Sequence, residues 1–254
     1  MIRHLSTPEH EYIRDLHDKG ALFVVNHSGG KDSQAMLIHL LESGIRPTQI
    51  VIAHADLGEA DWPGVLEHIE RTIDGLPLIV ARASKSFMGM VRSRGRWPSA
   101  QHRQCTSDLK RGPIEREVRR YLRNNPQHCD VVVNCMGLRA EESSARARRP
   151  SFVYSKRNSK AGREWFDWLP IHQWPVANVW SAIEKAGQRP HYAYDLGMAR
   201  LSCMFCILAS KGDLRISAKA NPDAYRRYVE MERELDHTMN MSGIPLPRIT
   251  GIEP

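Results

Sequence analysis

No run of the chain approaches eighteen uninterrupted apolar residues, and the first stretch, residues 1–19, is charged and rich in histidine where a secretory leader would be apolar. The expectation is a cytoplasmic protein that neither spans a membrane nor is exported. Cysteine is scarce as well. Five in 254 residues (Cys105, Cys129, Cys135, Cys203 and Cys206) form an odd, sparse set that excludes a disulfide framework and suits a reducing compartment. Internal repeats and low-complexity tracts are missing, and apolar residues at 41% with charged residues at 26% exclude wholesale disorder. An excess of acid is also lacking. Lys and Arg number 36 against 29 Asp and Glu, a net charge of +7 that favours polyanionic partners. Much of the excess is local, because residues 139–163 hold eight cations and two anions.

What is present is an alternation of strand and helix patterns. An apolar run at residues 22–25 leads into Ser28-Gly29-Gly30-Lys31-Asp32-Ser33, and Ala35, Met36, Leu37, Ile38, Leu40 and Leu41 then make a helix apolar almost all round, which must be covered by a sheet. Gly44 is placed to end it in a left-handed cap, and residues 50–53 form a second, β-branched strand. Pro63 opens a helix with Val65, Leu66, Ile69 and Ile73 inward, before a strand at 78–80. Gly112-Pro113 opens another, and residues 131–133 supply a fourth buried strand. The alternation predicts an α/β fold with a doubly wound parallel sheet and ligands at the carboxyl ends of its strands. Residues 151–171 break the pattern and read as a mobile basic loop over the site. Helices are expected at 176–186 and 221–240, the latter opened by Asn221 as a side-chain cap, Pro222 in the first turn and Asp223 as an early acid.

The glycine-rich turn carries the first chemistry. Two glycines let backbone approach a ligand closely, the following helix start offers unpaired N–H groups to an anion, Ser28 and Ser33 add hydroxyls, and Lys31 adds a point charge. The loop suits pyrophosphate or sulfate. It is not a Walker A loop, which places four residues between its first glycine and Gly-Lys-Ser/Thr. Cys203-Met204-Phe205-Cys206 can aim two thiolates at one centre, and from spacing alone zinc and an iron–sulfur cluster both remain open, as does a pair of inert thiols.

Ser28-Gly29-Gly30-Lys31-Asp32-Ser33 resembles the PP-loop signature of ATP pyrophosphatases. The pattern downstream resembles the branch holding phosphoadenosine-phosphosulfate (PAPS) and adenosine-phosphosulfate (APS) reductases and the sulfurtransferase of DNA phosphorothioation: His54-Ala55-Asp56-Leu57-Gly58-Glu59, Cys105-Thr106 through Lys110, Gly137-Leu138-Arg139 through Glu142-Ser143 and Arg146, then Tyr194, Gly197, Arg200, Cys203 and Cys206. The resemblance implies an adenine-nucleotide α-hydrolase-like, Rossmann-like fold over residues 1–210, with residues 211–254 as a helical extension packed on it. It implies that Ser28, Gly29, Gly30, Lys31, Asp32, Ser33, Asp56, Gly58 and Gly137 bind the nucleotide. Lys31, Asp32, Lys110, Arg139 and Arg146 would be catalytic, and Cys105, Cys203 and Cys206 would hold a cluster, [4Fe-4S] by preference, with one iron left open. A homodimer is compatible with it.

The same resemblance separates two reactions. Sulfonucleotide reductases use a cysteine near the C-terminus as nucleophile, and in this sequence no cysteine follows Cys206. The complete PP-loop is instead the form associated with cleavage of ATP to AMP and pyrophosphate, with Mg²⁺ offsetting the phosphate charge. The expectation is adenylation coupled to sulfur transfer. The rivals are a PAPS or APS reductase served by an external thiol, and a non-catalytic nucleotide-binding module. Arg148, Arg149, Lys156, Arg157, Lys160 and Arg163, with Trp165, Phe166 and Trp168 for stacking, suggest nucleic acid as acceptor, against the reading of a solvated basic face and a core strand.

Overall fold

A computed structural model describes residues 8–254. In chain order the elements are α1 (Pro8–Asp18), β1 (Leu22–Asn26), α2 (Lys31–Glu42), β2 (Ile50–Asp56), α3 (Val65–Thr72), β3 (Leu78–Arg82), α4 (Phe87–Arg94), a single turn α5 (Gln104–Thr106), α6 (Gly112–Asn124), β4 (Val131–Met136), the short α7 (Ser144–Ala147), β5 (Phe152–Tyr154), β6 (Glu164–Trp168), α8 (Val176–Lys185), α9 (Lys211–Ala220), α10 (Pro222–Leu235) and α11 (Leu246–Thr250). The chain divides into two compact units. One comprises the described residues up to His54 with Leu66–Val80 and Glu115–Pro190; the other comprises Ala55–Val65, Ala81–Ile114 and His191–Pro254.

The first unit is built around the sheet, whose strand order is β3-β2-β1-β4-β6-β5. Leu22, Phe23, Val24 and Val25 of β1 are wholly buried, as expected for a strand covered on both faces. β2 and β4 flank it, both parallel to it, with Val24 opposite Val51 on one side and Asn134 on the other. The chain therefore leaves β1 in one direction and returns to its other edge through β4. The carboxyl ends of β1 and β4 form the switch point at which open α/β sheets take ligands. α2 buries Ala35, Met36, Leu37, Ile38 and Leu40, and ends as its sequence indicates: Gly44 has φ 88°, and the N–H groups of Gly44 and Ile45 return to the carbonyls of Leu41 and Leu40.

Residues 151–171 correct the sequence reading. They hold β5 and β6, which extend the sheet: β6 runs parallel to β4, with Trp165 opposite Val132 and Trp168 opposite Cys135, and β5 closes the edge antiparallel. The cations between the two strands obscured the short segment Trp165-Phe166-Asp167-Trp168, which is buried at every position but Asp167. Asp167 is accommodated because its Oδ1 accepts from Asn134 Nδ2 at 2.8 Å and from the Trp165 indole at 3.3 Å. Trp165, Phe166 and Trp168 are at most 4% exposed, so these rings are core and not a stacking surface.

The second unit is largely helical, including the C-terminal part. Ser86 and Ser210 cap α4 and α9, accepting from the N–H of Gly89 and of Asp213. Asn221 does not cap α10 with its side chain. Its Nδ2 instead donates to the carbonyl of Ser217 and so closes α9. α10 stops at Leu235, short of the expected 240, because Asp236 turns left-handed (φ 45°) and the buried Glu232 carboxylate catches the returning chain at the N–H groups of Met239 (2.7 Å) and Leu246 (2.8 Å). Among the described residues no helix is long and apolar enough to cross a membrane.

Candidate functional site

The anion loop joins β1 to α2 within the first unit. Gly29 sits at φ 76°, a conformation that β-carbon side chains disfavour, and Gly30 opens the helix. Ser33 Oγ accepts from the N–H of Ser28 at 3.2 Å and donates to the carbonyl of Gly30 at 2.8 Å, so this hydroxyl braces the loop it belongs to. Lys31 is 4% exposed, with its Nζ 3.3 Å from Asp32 Oδ2 and 5.8 Å over the Trp180 ring. The Asp32 carboxylate stands beside this buried ammonium as a counter-charge.

Gly137, just past β4, supplies the other wall. A β-carbon there would come within 3.0 Å of the Asp32 carbonyl carbon and oxygen, so the close approach of two backbones requires glycine. Arg139 is buried and spent within the chain: its Nε donates to Asp32 Oδ1 at 2.6 Å, and its Nη1 to Glu141 Oε2 at 2.5 Å and to the Trp174 carbonyl at 3.2 Å. Glu142 accepts from the Arg139 N–H at 2.9 Å and pairs with Arg146. The structure thus brings Lys31, Asp32, Gly137 and Arg139 together, and links Arg146 to them through Glu142. Both arginines face carboxylates of the chain itself.

His27 is a residue that sequence reasoning missed, because nothing in its spacing marks it. Its Nδ1 accepts from the N–H of Gly29 at 3.1 Å, while its carbonyl lies 2.9 Å from His54 Nδ1. Burial, then the neighbouring His68 and His54, lower its pKa to about 3, so the ring is neutral at physiological pH and holds the first glycine of the loop.

The second unit contains Asp56, Gly58 and the cysteines. Asp56 Oδ1 accepts from the N–H of Gly58 at 2.8 Å and Oδ2 from Arg82 at 2.7 Å, fixing the turn after β2. Lys110 Nζ donates to Cys203 Sγ at 3.6 Å. The ammonium is held above its ordinary pKa by the Cys203 charge first, against the cost of burial, and then by Asp61, Cys206 and Cys105. Cys105, Cys203, Cys206 and Lys110 therefore share one electrostatic neighbourhood. Burial pushes the Cys105 and Cys203 thiols up, more than Lys110 pulls them down. The Cys203–Cys206 turn is pinned by the Met204 N–H, which donates to the Ala60 carbonyl at 2.9 Å. Cys135 is buried in β4 and Cys129 is exposed in a turn.

Residues 23–209 match the phosphoadenosine phosphosulfate reductase domain family. Among curated relatives, an uncharacterized 37.8 kDa protein of Escherichia phage 186 is 28% identical over 155 residues, 61% of this chain and 45% of that protein. An uncharacterized protein of Methanocaldococcus jannaschii is 23% identical over 221 residues, 87% of this chain and 50% of its own. The chain spans about half the length of the curated relatives it matches. Among solved structures, a PAPS reductase from Candida auris in its phosphate complex is similar over 78% of this chain and 89% of that one, with 14% identity and a TM-score of 0.48.

Proposed function

The chain belongs to the phosphoadenosine phosphosulfate reductase domain family, and from that premise we propose that it is an ATP-pyrophosphatase-type enzyme that adenylates an oxygen of an acceptor and exchanges that oxygen for sulfur. The observation that carries this reading is the complete anion loop at the β1–β4 switch point, with the ammonium of Lys31 already buried there. The acceptor oxygen attacks the α-phosphorus of ATP, and the bond to the β-phosphate breaks. Pyrophosphate leaves with its negative charge toward Lys31 and the N–H groups that start α2, and Mg²⁺ travels with the nucleotide. Arg139 holds Asp32 beside Lys31, so the lysine's carboxylate neighbour keeps a fixed orientation while the anion's charge grows. A sulfur nucleophile then displaces AMP, which carries the original oxygen away.

Among the described residues no three His, Cys, Asp or Glu side chains are gathered closely enough to enclose one metal ion. Cys105, Cys203 and Cys206, three thiols with Lys110 to offset their charge, are the donor set that would hold a [4Fe-4S] group. When bound, such a group supplies an iron without a protein ligand, suited to carrying the inorganic sulfur.

Nucleic acid is the acceptor class that the charge favours: Arg148, Arg149, Lys156 and Lys160 are exposed, whereas Arg157 pairs with Glu115. Incubation with ATP and an oligonucleotide pool, and separately with PAPS and a thiol, tests the reading. Pyrophosphate release in the first is expected; sulfite release in the second with no pyrophosphate in the first overturns it in favour of a reductase.

A further inference from the structure

α10 lies outside the family match, yet it delivers a side chain to the cysteine turn. Tyr228 is 1% exposed. Its ring packs on Phe205, the residue before Cys206, at 4.6 Å between centroids, and is stacked with Trp97 at 5.5 Å and Phe87 at 6.0 Å. Trp97 is itself fixed by its indole N–H, which donates to the His237 carbonyl at 3.0 Å. Three rings thus leave Tyr228 no room to turn. Its hydroxyl nevertheless finds no hydrogen-bond partner among the described residues. An unpaired hydroxyl in an aromatic core is destabilising, and a phenylalanine would fill the same space without that cost.

The surroundings indicate what the hydroxyl is for. Burial, followed by the charges of Cys203, Glu59, Cys206 and Asp61, holds the phenol well above its ordinary pKa, so the group keeps its proton and is available as a donor. Of the nearby carboxylates, Glu59 takes the N–H of Met88 and Asp61 takes that of Leu57. The sulfurs of the cysteine turn, on which the ring packs through Phe205, share that neighbourhood. We propose that the Tyr228 hydroxyl is a positioning donor to a sulfur of the group held by Cys203 and Cys206, either a cysteine sulfur or an inorganic sulfide. The inference rests on the iron–sulfur reading above and assigns it a residue that no motif supplies. A donor to a cluster sulfur stabilises the more negative, reduced state and raises the potential.

The experiment is anaerobic reconstitution of the wild-type chain and of Tyr228→Phe with iron and sulfide, followed by iron and sulfide analysis and a spectroelectrochemical titration. The substitution keeps the ring and removes only the donor. Equal iron content is expected in the two proteins, with a melting temperature for metal-free Tyr228→Phe equal to or above that of wild type. The expected shift of the midpoint is downward by about tenfold in the reduced-to-oxidised ratio at fixed poise, which is about 59 mV for one electron. Equal iron content with an unchanged midpoint overturns the role of Tyr228 and leaves the cluster reading standing. A wild-type chain that binds no iron overturns both.

Discussion

In the loop after β1, Ser33 satisfies the Ser28 N–H and the Gly30 carbonyl, His27 satisfies Gly29, and Arg139 satisfies Asp32. Around Cys203 the accounting is different: burial raises the Cys105 and Cys203 thiols, Lys110 brings a positive charge in among them, and the Tyr228 hydroxyl lacks a partner among the described residues. One region braces its own backbone, although the buried His27 Nε2 and Gln34 Oε1 find no partner among the described residues. The other keeps two raised thiols, a buried ammonium and an unpaired hydroxyl, to which the proposed cluster would bring charge and acceptor atoms. The difference teaches where each region's stability comes from. The loop should fold the same with and without ligand, and the cysteine region should gain order on loading.

The largest effect should come from exchanging the two regions' losses. Lys31→Met removes the charge that receives pyrophosphate, and its release from ATP should fall by about two to three orders of magnitude, the range for losing one pre-placed electrostatic group. Iron content after reconstitution should not change. Cys203→Ser with Cys206→Ser should do the reverse, abolishing iron uptake while nucleotide affinity, read by calorimetry with a non-hydrolysable ATP analogue, stays within a few-fold. If both substitutions removed both properties, the two regions could not be treated as separately built.

The sequence disclosed this contrast unevenly. The loop was legible because Gly-Gly-Lys between a four-residue apolar run and an apolar helix has few physical solutions, and the sheet followed from the same alternation. The expectation for Arg139 came from the resemblance and not from spacing: its partner Asp32 lies 107 positions away, and only the folded chain shows the guanidinium turned on that carboxylate. β5 and β6 were hidden by the cations between them. Tyr228 lies within the helix expected at 221–240, but the lack of a partner for its hydroxyl is a property of three rings packed from separate segments.

A smaller effect sharpens the comparison through pH. His27 has a folded pKa of about 3 against 6.5 for the free side chain, so between those values the unfolded chain binds a proton that the folded chain refuses. Stability from this group is fully present above 6.5 and is lost as pH falls toward 3. The slope is at most about 1.4 kcal/mol per pH unit. His27→Asn keeps a side-chain oxygen that can accept from Gly29 and cannot titrate. Chemical denaturation between pH 7 and pH 4.5 should show the wild type losing more stability than the variant, about one proton's worth of slope. Equal slopes would mean that the ring is protonated in the folded chain, and its Nδ1 would then not be the acceptor for Gly29.

The smallest effect on the fold, and the one that separates nucleic-acid binding from solvated surface, belongs to Arg148, Arg149, Lys156 and Lys160. None of them is in an ion pair among the described residues and all are exposed, so replacing the four with serine should change stability by no more than about 0.5 kcal/mol for each site. Their contribution to a polyanion is of another kind. Each phosphate they neutralise releases counterions, and on a single strand the slope of log affinity against log salt becomes shallower by about 0.7 for each phosphate left without its cation. Filter retention of a single-stranded oligonucleotide across a salt series should therefore show a flatter dependence for the quadruple variant, with the protein's melting temperature nearly unmoved. Parallel salt curves would assign these cations to solvent. The acceptor would then have to be recognised by groups nearer the two chemical regions, where Arg139 and Arg146 are already committed to Asp32, Glu141 and Glu142.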